Sequence, residues 1–158
     1  MKLLVMSDTH LSDVTDEFKA ICEHYGRDAD MVIHLGDWTR GAVLDYLEQY
    51  PLQAVAGNMD DQVVHNRLPV KKVLQVNGFR IGIIHGWGSG KDMQNRLKDK
   101  FSDVNAIFFG HTHQPVQSEE NGLFWFNPGS VFSGRGKFRG SIGVVRIGRK
   151  LQGDIVEF

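Results

Sequence analysis

Three short apolar runs punctuate the first 56 residues, and their spacing constrains the fold more than any other feature. Residues 3–6, 31–35 and 52–56 are four or five residues long and bounded by polar or glycine positions. Runs of that length read as buried strands. Between them, Phe18, Ile21, Cys22 and Tyr25, and then Val43, Leu44, Leu47 and Tyr50, recur at helical spacing. Gly26 fits the position just past the first helix, and Pro51 stops the second. The order is βαβαβ, which calls for a parallel sheet with right-handed crossovers.

The second half changes character. Residues 73–76 and 79–84 flank Asn77-Gly78, a pattern that predicts a β-hairpin with a type I′ turn. Met93, Leu97 and Phe101 mark a short helix, and 106–109 is another strand. Late strands are predicted at 123–126, 141–147 and 151–158, without helices between them, which points to antiparallel pairing. Phe124, Trp125 and Phe126 put aromatics on both faces of one strand, so one face is a candidate dimer contact. The glycine-rich loop 133–140 reads as the most flexible segment.

No linker, repeat or low-complexity tract interrupts the 158 residues, so one domain over 1–158 is expected. A net charge of −1 gives no basic excess for a bulk nucleic-acid surface, and no stable nucleic-acid complex is expected. A single cysteine, Cys22, rules out an internal disulfide and suits a reducing compartment. The apolar run near the start is shorter than the roughly 7–15 residues of a secretory core. No window reaches the roughly 20 apolar residues of a membrane span. The expectation is a soluble, cytoplasmic protein.

The chemistry is concentrated where the strands end. The first strand runs into Asp8-Thr9-His10, the second into Asp37 and the third into Asn58. The hairpin strand runs into His85, and the next into His111-Thr112-His113. Each of these side chains can bind a metal, and sites in open α/β sheets form at the carboxyl ends of strands. In extended chain, residues i and i+2 point the same way, so each D-x-H or H-x-H pair can aim at one centre. Gly36, Gly57, Gly86 and Gly110 flank these positions and permit close backbone approach. Carboxylates, imidazoles and an amide without thiolate suit Mn²⁺, Fe, Zn²⁺, Co or Ni²⁺. Seven ligands exceed the needs of one tetrahedral ion and fit two ions about 3.5–4 Å apart.

Taken singly, each element has a bland reading. A lone Asp at a strand end is usually a turn or cap residue, and Gly-Asp or Gly-Asn pairs carry little information. The ordered set is what carries specificity. His24 reads as a surface residue, His34 as a core hydrogen-bonding residue and His65 as a loop residue. Asp60 reads as a turn cap that holds Asn58 in place.

With SDTH (7–10), GDW (36–38), GNMD (57–60), IHG (84–86), GHTHQP (110–115) and NPGS (127–130), the chain resembles the calcineurin-like metallophosphoesterases, and their small single-domain bacterial and archaeal branch in particular. The resemblance implies an α/β (α+β mixed) fold, a four-layer αββα sandwich of two mixed β-sheets flanked by helices. It implies a dinuclear centre that hydrolyses a phosphate ester through a bridging hydroxide. One ion would be held by Asp8, His10 and His113, and the other by Asn58, His85 and His111, with Asp37 bridging. Manganese is the first expectation for both ions, and Asp37, Asn58 and His85 are the expected catalytic residues. The substrate would be a small or nucleotide-like phosphoester, and homo-oligomerisation is compatible.

Two positions depart from the family. Many members read GNH, with that His placed to protonate the leaving group, whereas this chain has Met59. The small branch often reads H-G-H where this chain has His85-Gly86-Trp87. Trp38 and Trp87 each follow a ligand position and are candidates to flank the site mouth and stack a base, with packing against loops as the alternative for both. Arg135, in the glycine-rich loop, is a candidate phosphate contact. A protein-binding scaffold of the same fold, a phosphomonoesterase and a nuclease are the alternative functions.

Overall fold

The alternation of side chains along the strands decides the layering of the computed structural model, which describes residues 1–132 and 140–158. Among the described residues, ten strands and four helices occur in the order β1 (Lys2–Met6), α1 (Asp16–Gly26), β2 (Met31–His34), α2 (Gly41–Leu47), β3 (Leu52–Ala54), α3 (Gln62–Arg67), β4 (Lys71–Val76), β5 (Phe79–Ile84), α4 (Met93–Lys98), β6 (Ala106–Phe109), β7 (Val116–Glu120), β8 (Leu123–Asn127), β9 (Ser141–Ile147) and β10 (Leu151–Glu157). They form two five-stranded mixed sheets, ordered β10-β9-β1-β2-β3 and β4-β5-β6-β8-β7.

Leu3 and Val5 of β1 face inward with Ile33, and they meet Ile81, Ile83, Phe108, Phe124 and Phe126 from the other sheet. Their neighbours Leu4 and Met6 face outward onto Phe18, Ile21 and Cys22 of α1 and Val43, Leu44 and Leu47 of α2. On the second sheet, Ile84, Ile107, Phe109 and Trp125 face outward onto Met93 and Leu97 of α4. Period-2 burial on both faces of each sheet therefore produces four layers, helices–sheet–sheet–helix.

The predicted hairpin is present, with Asn77 at φ +46° and Gly78 at φ +82°, as a type I′ turn requires. The antiparallel expectation for the late strands holds for β9 with β10; β9 also pairs antiparallel with β1. It fails for β8, which lies in the other sheet, antiparallel to β7 and parallel to β6 because β7 intervenes as a crossover. Strand β7 (VQSEE) escaped the sequence reading because it is a polar edge strand with no buried residue. Helix α3 stands where the sequence suggests a loop around His65; only Val64 is buried in its six residues, too few to make a stripe.

Gly26 closes α1 within its last turn rather than beyond it. Phe124, Trp125 and Phe126 are 8%, 2% and 0% exposed, so neither face of β8 is free for a dimer contact. The reason is that both faces of the second sheet are already covered, one by the first sheet and one by α4. The loop expected to be flexible, with Arg135, falls almost wholly outside the described residues.

Candidate metal centre

The parallel strands β1, β2 and β3 of one sheet and β5 and β6 of the other end at the same edge of the sandwich. The residues that follow these ends converge. Asp8 has one oxygen tied and one free. Its Oδ2 accepts from the Ser7 hydroxyl (2.6 Å) and from the backbone N–H of His111 (3.0 Å). Its Oδ1 faces His113 Nε2 at 3.1 Å, His10 Nε2 at 3.7 Å and His85 Nε2 at 3.9 Å. Asp37 repeats the arrangement. Its Oδ1 accepts from the backbone N–H of Met59 (2.8 Å), and its Oδ2 faces His85 Nε2 at 3.2 Å and His10 Nε2 at 3.8 Å.

The tautomer of His85 follows from its partner. Nδ1 lies 2.8 Å from the carbonyl oxygen of Leu35, which only accepts, so Nδ1 carries the proton. In the neutral ring Nε2 then holds a lone pair, aimed at two carboxylates. Asp8 Oδ1 and His85 Nε2 are both buried, and neither makes a hydrogen bond among the described residues. Buried electron-pair donors that converge without hydrogens between them call for a cation. Two groups fit one each: Asp8 with His10 and His113, and Asp8 with Asp37 and His85, the ligand atoms of each group lying within 4.8 Å of one another. The donor set is oxygen and imidazole nitrogen, which suits a divalent transition metal.

His111 lies beside these groups rather than in them, and Asn58 is its partner. Asn58 Oδ1 is 2.9 Å from His111 Nδ1, and His111 Nε2 is 2.8 Å from the carbonyl of Gly88. The His85 and His111 rings are edge-on at 5.3 Å between centroids. Five of the seven expected ligands thus share the two clusters, and the carboxylate common to both is Asp8.

Electrostatics reflect the crowding. Burial pushes the Asp8 carboxyl up, but His10, His113, His85 and Ser7 outweigh it and hold the group well below the usual carboxylate range. Burial likewise opposes ionisation of Asp37, and His85 and the Met59 N–H overcome it and lower it. Burial disfavours charge on His85, yet the facing Asp37 and Asp8 raise it above an ordinary histidine. Protons and metal ions would therefore compete for the same lone pairs.

Asp8, His10, Asp37, His111 and His113 have φ of +54°, +49°, +58°, +67° and +57°. Left-handed backbone at non-glycine residues costs on the order of 1–3 kcal/mol each and clusters at functional sites. The pairs Asp8/His10 and His111/His113 converge through this conformation, not through the extended chain that the i, i+2 spacing suggested. Glycine makes the approach possible at two points. A Cβ at Gly57 would strike Asp37 Oδ1, and one at Gly110 would strike the Ser7 hydroxyl and come within 2.8 Å of Asp8 Oδ2.

Trp38 does not flank the mouth. It is fully buried, donates from Nε1 to the carbonyl of Val55 (3.0 Å) and stacks on His34 at 3.5 Å, so it packs beneath the loops. Trp87 is 39% exposed and borders a cavity shared with Asn58 and His85. Buried His34 holds the loop from below, accepting the Gly36 N–H at Nδ1 (3.2 Å) and meeting Thr9 Oγ1 at Nε2 (3.3 Å). Burial pushes its pKa down to about 3, so it is neutral. Asp60 accepts from the N–H groups of Gly57 (2.7 Å) and Thr39 (2.9 Å), tying the Asn58 turn to the Asp37 loop.

The supporting role of residues 127–130 was not legible in the sequence. Asn127 donates to Gly110 O (3.0 Å), and the Ser130 hydroxyl donates to Asp8 O (2.7 Å), which fixes two ligand loops. Asn-Pro-Gly-Ser alone reads as a turn, and only its partners reveal this function.

The sequence matches the model of the calcineurin-like phosphoesterase superfamily domain over residues 1–150, and the chain belongs to that family. A probable metallophosphoesterase of Methanothermobacter thermautotrophicus is 33% identical over 160 residues, covering 99% of this chain and 92% of the relative. The solution structure of a Thermotoga maritima protein aligns with a TM-score of 0.74 at 31% identity, covering 99% of both chains. The vacuolar protein sorting-associated protein 29 of Schizosaccharomyces pombe is 27% identical over 140 residues, covering 83% of this chain and 72% of that one. The family implies divalent metal ions, and the two clusters supply residues that fit them.

Proposed function

We propose that this metal-dependent phosphoesterase is a phosphodiesterase with a two-ion centre. The observation that carries the reading is the pair of buried, unpartnered atoms Asp8 Oδ1 and His85 Nε2 at the junction of two ligand clusters. Asp8, His10 and His113 would hold one ion. Asp37, His85, Asn58 and His111 would serve the other, with Asp8 common to both clusters. Manganese is the first choice, with iron, zinc, cobalt or nickel as alternatives. Bound ions supply an activated water, its pKa lowered toward about 7, and neutralise charge on the phosphoryl oxygens.

The protein's own part is positioning. Ser7, the His111 N–H and the Met59 N–H each fix one carboxylate oxygen, leaving the other for the centre. No helix among the described residues is long and apolar enough to cross a membrane. A small or nucleotide-like diester, a cytoplasmic setting and the absence of a stable nucleic-acid complex complete the reading.

Purified protein should contain, or take up, close to two equivalents of Mn²⁺ and hydrolyse bis-p-nitrophenyl phosphate. Asp37→Ala and His113→Ala should each lose metal and at least about 10²-fold in kcat. Absence of both metal uptake and metal-dependent turnover would overturn the proposal. That result would favour a protein-binding scaffold, the reading to which the similarity to a vacuolar sorting protein lends weight.

A further inference from the structure

A groove of 470 Å³ opens directly from the metal centre, with Asn58 and His85 on its inner wall. Ala56, Val70 and Ile84 give it an apolar lining, and Trp87 forms its aromatic wall. Two lysines border it. Lys100 Nζ sits 5.2 Å from the centre of the Trp87 ring, and Lys71 Nζ donates to the Lys100 carbonyl (2.9 Å). Among the described residues no carboxylate lines the groove, whereas the cavity beside Thr112 and Gln114 carries Asp92 and Glu120. The two cavities therefore differ in sign, and an anionic substrate is drawn to the groove that carries the lysines.

Trp87 is the only accessible indole, since Trp38 and Trp125 are 0% and 2% exposed. Its ring already holds a cation, the arrangement that a planar ligand with its own negative charge would exploit. The volume falls within the range of pockets for small organic ligands and holds a nucleoside.

We infer that this groove is a nucleotide subsite, in which Trp87 stacks a nucleobase and Lys71 and Lys100 contact a phosphate other than the one being cleaved. The inference rests on the phosphodiesterase reading for its purpose, but the binding it describes does not require turnover. The substrate it selects is a diester carrying a planar base and a second anionic group. Asn58 and His85 join groove and centre, so a ligand seated there presents its linking phosphate to the ions. The two lysines are substrate-binding residues and take no part in bond cleavage.

Adenosine 5′-monophosphate is the probe, with ribose 5-phosphate and inorganic phosphate as controls, read by tryptophan fluorescence and by equilibrium dialysis on the metal-loaded protein. Adenosine 5′-monophosphate should quench the fluorescence saturably and bind at least about tenfold more tightly than ribose 5-phosphate. Trp87→Leu should abolish the quench and the preference for a base. Lys100→Met should weaken the nucleotide about tenfold, and Lys100→Arg should restore it. For a thymidine 5′-monophosphate p-nitrophenyl ester, Trp87→Leu should raise KM with kcat nearly unchanged.

Equal affinity for nucleotide and ribose 5-phosphate, or nucleotide binding unaltered in both Trp87→Leu and Lys100→Met, would overturn the inference. Nucleotide binding that depends on Trp87 in a protein without metal-dependent turnover would leave the subsite standing and remove only the phosphodiesterase reading.

Discussion

Met59 is 59% exposed, and its backbone N–H, not its side chain, serves the centre by holding Asp37 Oδ1. The thioether therefore costs the site nothing structurally, yet it stands where the family resemblance led to the expectation of an imidazole. Neither Met59 nor Trp87 can protonate a departing alkoxide. The rate should depend steeply on leaving-group pKa. Met59→His should flatten that dependence and raise turnover of poor leaving groups by up to about 10²–10⁴-fold, with metal content unchanged. A linear free-energy series of aryl and alkyl diesters measures this, and equal slopes for the two proteins would sink the idea. The carboxylates are similarly economical. Asp8 and Asp37 each spend one oxygen on the fold and one on the cluster, a division of labour that no residue-by-residue reading supplies.

Elements matter here mainly for how their ends approach one another. The chain leaves β6 through Gly110, whose N–H donates to His85 O (3.0 Å) while its α-carbon faces Ser7 and Asp8. Gly110→Ala would push the β6 end away from the β1 end, and overpacking of this kind costs about 1–3 kcal/mol. Urea unfolding should register that loss, and metal affinity should fall with it. Gly148→Ala is the control, because a Cβ there meets nothing within 4 Å and φ is ordinary, so its stability should be nearly unchanged. Sequence reading fares best on elements with a strong internal pattern. The stripe of α1, that of α2 as far as Leu47 with Tyr50 beyond the helix, the Asn77-Gly78 hairpin and the apolar strands are present. It fails on β7 and α3, which bury too little to leave a period, and on the parallel pairing of β6 with β8, which depends on a neighbour.

Across the whole molecule, the ligand loops come from both sheets: Asp8, His10 and Asp37 from one, His85 and His113 from the other. Ion binding thus links the two sheets at one edge. Mn²⁺ at about 100 times its Kd should stabilise the fold by about 2.7 kcal/mol, and a chelator should reverse this. Thermal melts with and without Mn²⁺ test the point. Asp8→Asn should melt lower than the parent without metal, because the facing histidines favour the ionised carboxylate, and should show little response to Mn²⁺; an unchanged metal response would show that Asp8 is not a ligand.

The sequence by itself determined the residue types at the strand ends, the βαβαβ order of the first half and the motifs that carry the likeness to a phosphoesterase family, from which the four-layer class followed, because strand period and ligand chemistry are written locally. Only the tertiary structure decided that Trp38 is a floor and Trp87 a wall. It alone showed that Asn127 and Ser130 fix the ligand loops, and that the D-x-H and H-x-H pairs converge through left-handed backbone. Those outcomes depend on which groups meet across about a hundred residues of chain, and neither hydrophobic period nor local spacing encodes that meeting.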